Sequence, residues 1–244
     1  MKLRDKTVLV TGGSKGIGKA TVEAMVREGA NIVLTYATDQ DVENYAQDLS
    51  VQFGVRIRAI QTDITNQAEV DAMFSKVKNE FSGLDVVVNS AGIFDDHDSP
   101  ENLEAFRGIF ETNFLGQVRI TNGARKLMTK GKIVFVSSLS GGYGQGSPDS
   151  IAYAAMKAAL DSYTRNLARA LAPNILVNAI APGATLTPMW GEMDPSYKAK
   201  VASGLLIGRW IQSSEIAEGI VFLAKNDAIC GEVLVLDGGD GLKQ

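Results

Sequence analysis

In the stretch SIAYAAMKAALDSY, Tyr153 and Lys157 stand four residues apart among alanines and leucines. On a helix, positions i and i+4 share a face, so a phenol and an ammonium at this spacing project together. A free phenol ionises with a pKa of about 10, and a cation within reach favours its ionised form. Bringing that pKa down by two or three requires roughly 3–4 kcal/mol of differential stabilisation, at about 1.4 kcal/mol per unit, which calls for a partly desolvated cleft. Such a pair can exchange a proton with a substrate oxygen, with Tyr153 as general acid or base and Lys157 as the charge that makes it usable. The same spacing is common on plain amphipathic surfaces, so the reading depends on what else converges on this face. Ser138 in VSSLSG is a candidate to hydrogen-bond an oxygen on which charge develops, with Ser137 as the alternative one position earlier.

A second constellation concerns an anion. The first apolar run leads into TGGSKGIGKA, where Gly12, Gly16 and Gly18 occupy a strand-to-helix turn. Missing Cβ atoms let the backbone bend tightly and approach a pyrophosphate, and a helix opening near Ile17 offers free N–H groups to it. Ser14 and Lys15 lie inside the same loop. Other strand ends supply compatible positions. Asp63, followed by Ile64, could accept from an adenine amino group or belong to the N-cap region of the helix from about Asn66. Asn89, Ala91 and Gly92 in VVVNSAG are small residues against which a cofactor could lie, or a turn that needs glycine. Pro182, Gly183, Thr185 and Thr187 in APGATLT could meet a carboxamide or phosphate, or form a plain loop.

The elements that must position these groups alternate along the chain. Apolar, β-branched runs at 7–10, 31–36, 56–61, 84–89, 132–137, 175–180 and 232–237 read as strands. Between them, apolar residues recur at helical spacing, as in Ile17, Ala20, Thr21, Ala24 and Met25, or Val70, Met73, Phe74, Val77 and Phe81. Strands apolar on both faces fit a parallel sheet covered by helices on two sides, a doubly wound α/β fold in one domain spanning 1–244. Glycine- and proline-rich segments at 141–148 and 182–195 fall at carboxyl ends of strands, where such folds bind ligands.

Composition excludes several classes. With 45 % apolar and 21 % charged residues, the 244-residue chain is a folded protein rather than a disordered one. Its 24 basic and 28 acidic side chains give a net charge of −4 with no basic block, which argues against nucleic acid as a partner. No run approaches the roughly 18 apolar residues of a membrane span, and the first apolar run is too short for a secretory leader, so a soluble cytoplasmic protein is expected. The single cysteine, Cys230, fits a reducing compartment and reads as a small core residue beside Gly231. His97 among aspartates in FDDHDSP reads as a solvated loop residue, and no metal site is expected.

Taken in order, TGGSKGIG, NSAG, Asn113 in ETNFLG, Ser138 in VSSLSG, YAAMK, APG and VLDGG resemble the short-chain dehydrogenase/reductase family from residue 6 to 239. The resemblance implies a Rossmann-type sheet of about seven strands in the order 3-2-1-4-5-6-7, a nicotinamide cofactor and an Asn113, Ser138, Tyr153, Lys157 tetrad. It further implies that Tyr153 gives a proton to a carbonyl oxygen as hydride arrives, that Lys157 also anchors the cofactor ribose, and that Asn113 holds a water that resupplies protons. Ser138 and Tyr153 are fifteen positions apart, longer than the common family pattern, so the GGYGQGSPDS loop must bulge.

Cofactor choice turns on charge at the end of the second strand, where an acid favours the ribose diol of NADH and a base a 2′-phosphate. Tyr36, Ala37 and Thr38 stand there, with Lys15 nearby, which favours NADPH; Asp39 is the residue whose approach would favour NADH instead. Residues 186–210, with Met189, Trp190, Met193, Tyr197, Leu205, Leu206 and Trp210, read as a lid over an apolar part of a substrate, or as packing onto the domain or a neighbouring subunit. The pattern resembles the 3-oxoacyl carrier-protein reductases within the family, but Thr129 and Asn174 stand where those often carry arginines for carrier docking. The expected function is an NADPH-dependent carbonyl reductase or secondary-alcohol dehydrogenase. Alternatives are an NAD-dependent alcohol dehydrogenase and a non-catalytic nucleotide-binding regulatory protein. The resemblance also implies a homo-oligomer, tetramer or dimer, through helices near 113–128 and 151–171 and the last strand.

Overall fold

The computed structural model describes residues 1–143 and 146–242. Seven strands form one parallel sheet: β1 (Thr7–Thr11), β2 (Asn31–Tyr36), β3 (Ile57–Gln61), β4 (Val86–Asn89), β5 (Gly131–Val136), β6 (Ile175–Pro182) and, after two short strands introduced below, β9 (Val233–Leu236). Their order is β3-β2-β1-β4-β5-β6-β9, with every neighbouring pair parallel. The seven runs expected from sequence are these seven strands, displaced at their ends by two residues at most.

Alternation along each strand divides the core into two layers. Leu9, Val33, Val87, Ile133 and Phe135 point to one face, where α3 (Gln67–Glu80), α5 (Gln117–Arg125) and α6 (Ile151–Leu171) cover them. Val8, Val10, Ile32, Leu34, Val86, Val88 and Val134 point to the other, under α1 (Gly16–Arg27), α2 (Val42–Phe53) and α8 (Ser213–Lys225). Burial on both faces explains why these strands read as continuous apolar runs rather than alternating ones.

The order reverses between β1 and β4, and Thr11 pairs in register with Asn89. Their carboxyl ends therefore open a crevice at the point where successive connections diverge to opposite sides, the ligand position of open α/β sheets. Helix α4 (Leu103–Phe110) runs through a π-helical turn, Glu111–Gly116, into α5. After β6, the two-residue strands β7 (Thr185–Leu186) and β8 (Ile211–Gln212) pair in parallel, so residues 187–210 form an excursion closed at its base. It carries α7 (Pro195–Gly204), which buries no residue, and is anchored by buried Leu205 and Trp210. Among the described residues, no helix is long and apolar enough to cross a membrane.

Candidate active site

The glycine loop follows β1. Gly12 and Gly16 have φ of +64° and +50°, a region in which side chains are disfavoured. A Cβ on Gly18 would lie 2.1 Å from the Gly12 carbonyl oxygen, and one on Gly12 3.0 Å from Ala91 Cα. Loop, helix and the β4 turn thus pack backbone against backbone. Thr11 Oγ1 accepts from the N–H groups of Ser90 and Ala91 at 3.0 and 3.1 Å, an organising contact that no sequence motif announced. Helix α1 opens without a side-chain cap from Lys15 and with no acidic residue in its first turn, which includes Ile17. Free donors at the positive end of a helix, in a cradle that a Cβ would fill, suit a dinucleotide pyrophosphate. Across the crevice, Thr187 Cβ stands 3.3 Å from where a Gly16 Cβ would be.

Several candidates turn their side chains elsewhere. Asn89 is fully buried and donates to Thr121 Oγ1 at 3.3 Å, so only its backbone faces the turn. Ile64 packs beneath the π-helical turn, where it limits residue 116 to glycine. Thr185 Oγ1 donates to the Gly183 carbonyl at 2.9 Å, and Gly183 lies tight against Asp237. Asp63 is exposed, its Oδ1 accepts from Thr65 at 2.8 and 2.7 Å and its N–H donates to Glu69 Oε2 at 2.8 Å, which puts it in the N-cap region of α3, just before the cap residue Asn66. Gly92 is near the catalytic face: a Cβ there would meet Asn113 Oδ1 at 3.2 Å and Lys157 Nζ at 3.9 Å.

Beyond β2, Tyr36 is half-buried and Thr38 exposed. Lys15 Nζ forms an ion pair with Asp39 Oδ1 at 2.6 Å. That hydrogen bond, with one from Ser14, holds the Asp39 carboxyl below the usual carboxylate range. Lys15 is thus an exposed side chain paired with Asp39.

Helix α6 carries Tyr153 and Lys157. Lys157 is buried and donates to the Val136 carbonyl at 2.7 Å, with its Nζ 5.4 Å from the Tyr153 ring centroid. Burial lowers its pKa to about 8, against the opposing charge of Asp161 one turn further along. Tyr153 is half-buried, stands edge-on against Phe94 at 5.6 Å and has the Ser138 hydroxyl close enough to act on its phenol. Its phenol is pushed up by burial, while the Ser138 hydrogen bond pulls the other way. Within the protein alone burial is the largest influence on this phenol, and Tyr153 is held as an acid.

Ser138 caps a single 3₁₀ turn, Leu139–Gly141. Ser137, the alternative, is buried and donates to the Lys157 carbonyl at 3.3 Å, facing the helix rather than the phenol. Asn113 lies in the π-helical turn, fully buried, and its amide spans the backbone of Ile93: Oδ1 accepts from Ile93 N–H and Nδ2 donates to Ile93 C=O, each at 2.8 Å. Of the loop expected to bulge, Gly144 and Gln145 lie outside the described residues. Sequence reading missed Asp98, which is buried and accepts from the N–H groups of Ala152 and Tyr153, both at 3.0 Å. Cys230 is exposed, correcting its assignment to the core. His97 is exposed as expected, and no cluster that could hold a metal ion occurs among the described residues.

The family model described as enoyl-(acyl carrier protein) reductase, of the short-chain dehydrogenase type, matches residues 12–240. The chain belongs to the short-chain dehydrogenase/reductase family. It is 33 % identical over 251 residues to the 3-oxoacyl-(acyl-carrier-protein) reductase FabG of Escherichia coli, covering 98 % of each chain. A short-chain dehydrogenase/reductase from Serratia marcescens superposes with a TM-score of 0.92 at 28 % identity, over 99 % of this chain and 100 % of that one. The NADPH-dependent 3-quinuclidinone reductase of Rhodotorula rubra gives 0.92 at 26 %, over 99 % and 93 %. Membership in this family makes the protein an oxidoreductase by kinship, with a Rossmann-type sheet.

Proposed function

We propose that the protein reduces a ketone to a secondary alcohol with NADPH, and that Tyr153 delivers the proton. The observation that carries this reading is the convergence of the Tyr153 phenol, a buried ammonium 5.4 Å from its ring centroid and Ser138 beside a glycine cradle. Gly12, Ser14, Gly16, Ile17 and Gly18 would hold the pyrophosphate through backbone N–H groups, Lys157 the ribose hydroxyls, and the Pro182–Thr187 segment the carboxamide. When bound, the dihydronicotinamide supplies hydride to the carbonyl carbon.

The chain's own groups handle charge and proton. Ser138 donates to the carbonyl oxygen as negative charge grows on it, an interaction stronger in the transition state than before it. Tyr153 transfers its proton to that oxygen, and the Lys157 ammonium stabilises the phenolate left behind. Asn113 fixes Ile93, and with it the loop that walls the phenol on its Phe94 side. Phe94 and its neighbour Ile93 expose apolar surface beside Tyr153, and Met189, Trp190, Leu206 and Ile207 do so on the 186–210 segment, which supports a substrate with an apolar portion and that segment as its cover. Relatives named for 3-oxoacyl and quinuclidinone substrates are consistent with a ketone. A panel of 3-oxoacyl thioesters, aryl ketones and quinones should reveal at least one class that consumes NADPH, followed by its absorbance; no consumption by any would overturn the reading.

NADH is the second reading, favoured by the Lys15 to Asp39 pair. NADPH requires Lys15 to turn from Asp39 to the 2′-phosphate, whereas NADH allows Asp39 to accept from the ribose diol. Fluorescence titration should give tighter binding of NADPH, and Lys15→Ala should erase that preference. Tighter binding of NADH by the unmodified protein would decide for the alternative.

A further inference from the structure

Helix α6 bears Tyr153 in its first turn, yet the residue before it, Ser150, makes no side-chain cap. The donors of that turn are met instead from a distant loop. Asp98 Oδ1 accepts from Ala152 N–H and Oδ2 from Tyr153 N–H, each at 3.0 Å, across a sequence separation of more than fifty residues. Asp98 is buried, so this is a desolvated, charge-assisted contact at the positive end of the helix dipole. Its loop is itself fixed: Asp98 N–H donates to the Asp95 carbonyl at 3.0 Å, and Asn102 Nδ2 to the His97 carbonyl at 3.0 Å. Five residues upstream, Ile93 is gripped on both backbone polar groups by Asn113, and Phe94 meets the Tyr153 ring edge-on at 5.6 Å. One short strap therefore touches Asn113 and the Tyr153 ring at its start, through Ile93 and Phe94, and the Tyr153 backbone at its end, through Asp98.

We propose that Asp98 is a positioning residue which sets the height of the Tyr153 hydroxyl against Ser138 by tying the start of its helix to the strap after β4. A cap of purely local origin would satisfy the same N–H groups but leave the helix start free to move relative to the strap. The inference rests on the assignment of Tyr153 as proton donor. Misplacing a reacting group by about 1 Å can cost on the order of 100-fold in rate.

The test compares Asp98→Ala, Asp98→Asn and Asp98→Ala combined with Ser150→Asp, using NADPH and whichever ketone of the panel the unmodified enzyme consumes fastest. Asp98→Ala should lower kcat by about 10- to 100-fold, with KM for NADPH changed by less than about twofold. Adding Ser150→Asp should restore the melting temperature through a local cap while kcat stays low. Should Asp98→Ala fail to fold, Asp98→Asn, which keeps one acceptor, should give an intermediate loss of kcat with the same unchanged KM. The inference is overturned if kcat recovers together with melting temperature in the double variant, or if Asp98→Asn and any folded Asp98→Ala keep kcat within about twofold of the unmodified enzyme. Tyr153→Phe serves as control: if it retains turnover, it is the proton-donor assignment that has failed, not the role of Asp98 alone.

Discussion

Lys157 is the residue whose charge is most finely poised. Its pKa is lowered to about 8 by burial, and its Nζ stands 5.4 Å from the Tyr153 ring centroid. Below that pH it is an ammonium and stabilises the phenolate formed on proton transfer; above it the charge is lost and that stabilisation with it. The Tyr153 phenol, raised by burial, remains protonated throughout this range. Reductive kcat/KM should therefore be level below a pH of about 8 and decline above it, measured at saturating NADPH. A profile flat well beyond that pH would remove Lys157 from the proton-transfer step. The same residue shows what sequence could and could not give: the i, i+4 pair was legible from spacing alone, but the balance between desolvation and charge depends on burial, which no spacing encodes.

At the level of elements, the glycine cradle and α1 act as one unit, because Gly18 lies inside the first turn against the Gly12 carbonyl. A Cβ at Gly18, 2.1 Å from that oxygen, forces loop and helix apart. Gly18→Ala should weaken NADPH binding by at least about tenfold by titration, consistent with the loss of a preorganised anion site; unchanged affinity would contradict the cradle's role. The inner strands β1, β2, β4, β5 and β6 were legible because they are buried on both faces and read as nearly unbroken apolar runs. The pair β7 and β8 was not, since two residues cannot display a period. Nor was the π-helical turn at Glu111–Gly116, where one added residue per turn changes the direction of Asn113 without changing residue types. Asp98 escaped notice for a related reason: its partners are backbone N–H groups far away in sequence, and its neighbourhood of aspartates looks like an exposed loop.

Across the whole molecule, one edge of the sheet is the partly exposed β9, and the α4 to α5 region presents Phe110 and Phe114 stacked at 5.7 Å, with Phe110 exposed. We propose that these surfaces, with α6, join copies of the chain into a dimer or tetramer; sedimentation should return a multiple of 26.0 kDa, and a monomer would refute it. The catalytic account makes a more direct demand on the entire enzyme, since cradle, excursion and helix must serve one proton transfer. Replacing Tyr153 by phenylalanine removes a single oxygen while leaving the ring against Phe94. The decisive measurement is NADPH-dependent ketone turnover by Tyr153→Phe beside its NADPH affinity: turnover should fall by about 100- to 10,000-fold with affinity changed by less than about twofold, whereas turnover equal to that of the unmodified enzyme would contradict the assignment of Tyr153 as the acid.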